Sequence, residues 1–137
     1  MFIVRKLTQV DTSQVERLDE VSGFDVLEWI ESDSFGVFKE DTLVGYCTYG
    51  YADCYDDILN HHANTSESRM LSNVFVLPEY RKQKLSEKLI IKSRSTFGET
   101  IYLTASTFSL GQYYEKIGFI PMDEDYYLLY WPFSLAA

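Results

Sequence analysis

Hydrophobic positions change their spacing several times along this chain, and each change marks the end of one element and the start of another. Residues 2–7 form a short apolar run that predicts a strand. Asp11, Thr12 and Ser13 make a helix-start cluster, after which Val15, Leu18 and Val21 recur near helical spacing with acids between them. Gly23 breaks that helix, and residues 25–31 predict a second, shorter one with Val26, Leu27 and Ile30 turned inward. Residues 35–38 and 43–49 read as strands joined across Glu40 and Asp41, a hairpin pattern. Residues 51–68 are polar and predict a long loop or a broken helix. A strand over residues 70–77 stops at Pro78, and a helix over 85–97 puts Leu85, Leu89 and Ile90 on its buried face and ends at Gly98. Residues 101–104 predict a strand, 109–117 a helix closed by Gly118, and 119–120 with 126–131 a final strand pair.

The resulting order, β-α-α-β-β-β-α-β-α-β-β, predicts an α/β (α+β) fold: a mixed sheet covered by helices. No internal repeat, low-complexity tract or linker interrupts it, so residues 1–137 are expected to form a single domain. Element order of this kind fixes no chemistry by itself.

Charge narrows the choice of function. The net charge is −9 and the pI is near 4.6, which argues against a nucleic-acid binder. Two cysteines, Cys47 and Cys54, make neither a disulfide framework nor a zinc site, and no metal is expected. Such cysteine usage fits a reducing cytoplasm. Residues 1–10 hold Arg5 and Lys6 and no long apolar run, so neither a signal peptide nor a membrane partner is expected.

Against that acidic background, Arg81, Lys82, Lys84, Lys88, Lys92 and Arg94 are half of the chain's 12 basic residues. They fall after a strand and a proline corner, at the start of a helix. A helix start presents free N–H groups and the positive end of the dipole, so the segment suits a polyanion such as a phosphate; the alternative is a solvated basic face. Asp53, Asp56, Asp57 and Glu67 in one loop, and Asp123, Glu124 and Asp125 in another, would attract a cationic partner if they border a site, or else keep the surface hydrated.

The run Asn73-Val74-Phe75-Val76-Leu77-Pro78-Glu79-Tyr80-Arg81 resembles the signature of the GNAT acetyltransferase superfamily, where a strand enters Val-x-Pro-Glu-Tyr-Arg. Tyr113-Tyr114-Glu115-Lys116-Ile117-Gly118-Phe119 is similar to the family's Tyr-x-x-x-Gly-Phe motif. The two matches occur in the family's order and spacing. The resemblance implies a single GNAT-like domain, with a mixed, mostly antiparallel sheet, splayed central strands and helices on both faces. It also implies acetyl-CoA as co-substrate. By position, Phe75, Val76 and Leu77 would lend backbone groups to the pantetheine arm, and Arg81, Lys82, Gln83, Lys84, Leu85 and Ser86 would wrap the pyrophosphate. The chain departs from the family loop Arg/Gln-x-x-Gly-x-Gly/Ala in that Lys84 stands at the first glycine and Ser86 at the second small residue. If the Lys84 position requires a positive φ, lysine costs roughly 1 kcal/mol there.

The resemblance assigns Tyr114 as the general acid for the leaving thiolate, with the Val76 N–H as oxyanion donor; the alternative for Tyr114 is a packed helix tyrosine. Thr107 stands where relatives carry a cofactor-contacting Asn. Lys116 would reach the outer phosphate or stay solvated. Many relatives place a glutamate base on the fourth strand, where this chain has Ser72 beside Asn73. His61 and His62 titrate in the useful range, but no base is assigned. The acceptor is expected to be a small-molecule or peptide amine, cationic in character. The aromatic run at 126–131 is a last strand with one buried face, and it could also line an acceptor pocket or a homodimer seam. The rival reading is a GNAT-fold binding or regulatory module with a degenerate phosphate loop.

Overall fold

The computed structural model describes residues 1–31, 33–51, 69–125 and 127–132, with the side chain of Tyr51 excepted. Among the described residues, seven strands, β1 (Phe2–Lys6), β2 (Ser34–Lys39), β3 (Thr42–Tyr51), β4 (Arg69–Val76), β5 (Ile101–Thr104), β6 (Ile120–Pro121) and β7 (Leu128–Trp131), hydrogen-bond in the order β1-β2-β3-β4-β5-β7-β6. Four of the pairings are antiparallel and β4–β5 is parallel, which is the mixed, mostly antiparallel sheet expected. The chain divides into two compact units: residues 1–49 with 72–96, and residues 50–71 with 97–137.

In the first unit, β1 (Phe2–Lys6) pairs with β2 (Ser34–Lys39), which turns back into β3 (Thr42–Tyr51). Lys39 faces Thr42, so Glu40 and Asp41 alone make the turn, with Glu40 at φ 55°. Helix α1 (Thr12–Ser22) docks on this hairpin. Gln14 donates to Asp41 O (3.0 Å) and accepts from Leu43 N–H (2.7 Å), while Arg17 donates to Leu43 O (2.8 Å). The helix buries Val15 and Leu18 but leaves Val21 58% exposed, contrary to the expected stripe. The inward row is Val15, Leu18 and Ser22, at spacings of three and four, and the Ser22 hydroxyl meets the buried Tyr46 hydroxyl at 2.7 Å.

The second predicted helix is a single 3₁₀ turn, Val26–Trp29. Both Asp19 carboxylate oxygens take N–H groups from its start, Val26 at 3.1 Å and Leu27 at 2.9 Å. With β2 beginning at Ser34, so few residues cannot repay the nucleation of an α-helix. Val26 and Ile30 are buried as expected, and Leu27 is half-buried.

A part-buried salt bridge, with Asp11 buried and Arg5 exposed, ties β1 to the entrance of α1. Arg5 donates twice to Asp11, at 2.7 and 2.9 Å, and Asp11 also accepts the Thr8 N–H at 2.9 Å. These bonds, the one to Arg5 foremost, hold the Asp11 carboxyl below the usual value.

Strand β4 (Arg69–Val76) enters both units: Arg69, Met70 and Leu71 pair with Ile101, Tyr102 and Leu103 of β5 (Ile101–Thr104), and that register ends at Leu71↔Leu103. Helix α2 (Leu85–Phe97) returns to the first unit and buries Leu85, Leu89, Ile90 and Ser93. In the second unit, α3 (Phe108–Ile117) is followed by β6 (Ile120–Pro121), of the expected length but one residue later, and by β7 (Leu128–Trp131), shorter than the expected 126–131. The reason for the shortening is Asp123, whose Oδ1 accepts the N–H groups of Tyr127 and Leu128, both at 3.0 Å, and so folds the chain ahead of β7 into a side-chain-held turn. Tyr102 and Tyr130 stack across β5 and β7 at 6.1 Å. Among the described residues, no helix is long and apolar enough to cross a membrane.

Candidate functional site

The end of β4 is built by one peptide group. The Leu77 N–H donates to Val44 O of β3 at 2.9 Å. Because a trans peptide sets its C=O opposite its N–H, the Val76 carbonyl points to the other edge of β4. There it accepts Arg81 Nε at 2.9 Å. The Arg81 guanidinium also lies 5.6 Å from the Phe75 ring centre. Phe75 meets Phe24 edge-on at 6.4 Å and Tyr46 at 6.1 Å. The three strand residues proposed for the pantetheine arm therefore differ: Leu77 spends its N–H on β3, while Val76 presents its backbone groups at the opposite edge.

Pro78–Tyr80 form a 3₁₀ turn that reverses the chain, with Tyr80 N–H on Leu77 O (2.9 Å) and Arg81 N–H on Pro78 O (3.2 Å). Arg81, Lys82, Gln83 and Lys84 are all exposed. Lys82 and Lys84 adopt φ of 67° and 60°, in the left-handed region. The Lys84 position thus has the conformation that favours glycine, at a cost of about 1–2 kcal/mol for a lysine. Lys84 O accepts Lys88 N–H at 3.1 Å and opens α2. The N–H groups of Leu85, Ser86 and Glu87 precede that bond and lack an intrahelical acceptor by position. Left-handed residues beside a helix start turn successive N–H groups toward a common concavity, an arrangement suited to phosphate oxygens. The buried Leu85 pins it to the core.

The rest of the basic cluster divides. Lys88 Nζ lies 5.7 Å from the Phe2 ring centre, and Lys92 is exposed. Arg94 is half-buried, and burial lowers its pKa.

In the second unit, Thr107 caps α3: its Oγ1 accepts the Leu110 N–H at 3.1 Å. One turn on, the two adjacent tyrosines separate, Tyr114 being 5% exposed and Tyr113 36%. The Tyr114 ring packs edge-on against Phe119 at 5.7 Å and against Tyr113 at 5.4 Å. The glycine of this motif has a clear cause. Gly118 sits at φ 140°, and a Cβ there would lie 3.0 Å from the Trp131 indole. Its N–H closes the helix on Tyr114 O and Glu115 O. Lys116 is exposed.

No residue of β4 is a carboxylate. Ser72 is exposed, and Asn73 donates through Nδ2 to Thr48 Oγ1 at 3.0 Å. His61, His62, Cys54 and the acids Asp53, Asp56, Asp57 and Glu67 lie outside the described residues. Cys47 is wholly buried, and its thiol is pushed up to about 12, chiefly by burial, so it behaves as a core residue. Among the described residues no group of His, Cys, Asp and Glu is placed to hold a metal. Sequence reasoning missed two features here: the Arg81–Val76 clamp, and the network in which Tyr46 donates to Asp19 at 2.6 Å beside Ser22. Neither has a sequence signal, because each depends on where a strand edge or a helix end lies in space.

The strand running into the proline corner, the left-handed basic loop and the helix start all fall within the segment that a known family model matches. The chain belongs to the acetyltransferase (GNAT) domain family, whose model matches residues 35–128. No curated protein matches it. Among solved structures, a GNAT-family acetyltransferase from Listeria monocytogenes is similar at 19% identity and TM-score 0.71, covering 96% of this chain and 94% of the other. The ribosomal-protein-S18-alanine N-acetyltransferase of Escherichia coli is similar at 16% identity and TM-score 0.69, covering 100% and 97%. The PaiA N-acetyltransferase of Thermoplasma acidophilum, in complex with coenzyme A, is similar at 16% identity and TM-score 0.64, covering 96% and 99%.

Proposed function

We propose that residues 1–137 act as one catalytic domain that transfers an acetyl group from acetyl-CoA to a primary amine. The observation that carries this reading is the loop at residues 81–86, where exposed cationic side chains and two left-handed residues meet the start of α2. In a chain of net charge −9, that local concentration of positive charge and free N–H groups suits a pyrophosphate. Coenzyme A in the similar PaiA structure supports the same reading.

In this scheme Arg81, Lys82, Gln83, Lys84, Leu85 and Ser86 hold the pyrophosphate, Leu85 through its backbone. The edge of β4 at Val76 receives the pantetheine arm, and Phe75 and Leu77 set the direction of that edge. The ammonium first gives a proton to water; the neutral amine nitrogen then attacks the thioester carbonyl carbon, and the Val76 N–H steadies the oxyanion. The C–S bond then breaks, the thiolate takes the Tyr114 proton, and the amine proton leaves to water, from which Tyr114 is restored. Thr107 acts here through the α3 cap, which sets the position of Tyr114. A cationic amine suits the acidic runs of the sequence at 53–67 and 123–125.

Calorimetric titration with acetyl-CoA, beside dephospho- and desulfo-analogues, tests the cradle. Micromolar binding that weakens without the phosphates is expected, and no binding up to millimolar would refute the reading. With an amine found by screening, Tyr114→Phe should slow turnover by about 100-fold or more while Tyr113→Phe changes little. One observation favours a second reading, a coenzyme-binding module without turnover: β4 carries no carboxylate to serve as a base. Tight acetyl-CoA binding with no turnover across polyamines, amino acids and peptide N-termini would select it.

A further inference from the structure

We infer that Arg81 determines selectivity for the phosphate-bearing coenzyme over bare pantetheine thioesters, by guarding the strand edge until a phosphate draws it away. The inference rests on the proposed binding of acetyl-CoA and adds a role for the Arg81 side chain.

The starting point is the Val76 carbonyl. It faces the edge of β4 away from β3, because the Leu77 N–H of the same peptide is committed to Val44 O at 2.9 Å. The β4–β5 register covers Arg69–Leu71, so Val76 lies five residues beyond its last pair. An arm that pairs with this edge as an extra strand carries amide N–H groups, and Val76 O is an acceptor for them. In the structure that acceptor holds Arg81 Nε at 2.9 Å. An ionised donor makes a stronger hydrogen bond than the neutral amide of a pantetheine arm, so the arm alone competes poorly for the carbonyl.

A phosphate changes the competition. Arg81 is the first residue of the basic loop, and its side chain is exposed. Its Nε and Phe75 contacts are local, and the guanidinium can swing toward an anion held by the N–H groups of residues 85–87. A bidentate Arg–phosphate contact replaces the bond to Val76, and the freed carbonyl then accepts the arm. The pyrophosphate and the arm of one coenzyme molecule therefore assist each other through one side chain, while a thioester lacking phosphate must break the Val76 bond with nothing in return.

The test is calorimetry of CoA and of pantetheine against wild type, Arg81→Met and Arg81→Ala. Removing the guard should strengthen pantetheine binding by about fivefold while weakening CoA binding by about tenfold, so the two ligands respond in opposite directions. A residue that merely supports the loop would weaken both. Thermal melts of both variants should stay within about 4 °C of wild type, because Arg81 is exposed and gives up one bond to Val76 O. Pantetheine affinity that falls or stays unchanged in both variants, with CoA still bound by wild type, overturns the inference alone. Failure of wild type to bind CoA overturns the proposed function, and the inference with it.

Discussion

Replacing Lys84 separates backbone strain from side-chain charge. Lys84 holds φ at 60° at the start of α2, with its carbonyl bonded to Lys88 N–H at 3.1 Å. An L-residue costs about 1–2 kcal/mol in that region. Glycine removes the strain, but the more flexible unfolded chain takes back about 0.5–1 kcal/mol. Lys84→Gly should therefore stabilise the fold by roughly 0.5–1 kcal/mol. For a chain of 137 residues that raises Tm by about 2–3 °C. Lys84→Ala keeps the Cβ and its strain and loses only the charge, so its Tm should stay near wild type. Both variants lose the ammonium, so both should bind acetyl-CoA about fivefold more weakly at low salt, with the deficit shrinking as salt rises. The assays are scanning calorimetry for stability and isothermal titration for affinity at two ionic strengths. Equal Tm for the Gly and Ala variants would refute the strain argument. Unchanged affinity in both would show that the ammonium does not serve the phosphates.

Other outcomes follow from single contacts. Asp11→Asn should cost about 2 kcal/mol at neutral pH by weakening the paired bonds to Arg5. Its folded pKa is depressed, so the wild-type advantage is full above the usual carboxylate value of 3.8 and is lost as pH falls through the lower folded value, which urea melts across pH 2–7 should trace. Gly118→Ala should lower stability by about 2–3 kcal/mol, since φ of 140° is strained for alanine and the Trp131 indole stands 3.0 Å from the new Cβ. A thermal shift under about 2 °C would refute it. Gly45→Ala should also destabilise, by about 1–3 kcal/mol, because the Phe75 carbonyl oxygen lies 2.9 Å from the added methyl and cannot rotate away as a side chain would.

The sequence by itself determined the element order, the family and the location of both motifs. Those follow from local rules: period-two and helical spacing, a proline that cannot continue β4, and glycines that end α1 and α3. It also located a basic loop and named the residue, Lys84, at which a glycine conformation would be awkward. Tertiary structure decided what those residues meet. Val21 lost its place on the inner face to Ser22 because the buried partner there is a hydroxyl, that of Tyr46. Residues 26–29 became a 3₁₀ turn because Asp19, seven residues before Val26, supplies both carboxylate oxygens to its N–H groups. Asp123 looked like one acid in an acidic run and instead folds the chain into β7. The Arg81–Val76 bond crosses a proline corner, and it exists because Leu77 is committed to β3 and turns the preceding carbonyl outward. Periodicity records which side of an element is apolar, whereas a hydrogen bond between elements depends on the relative placement of two backbones, which no single run of residues encodes.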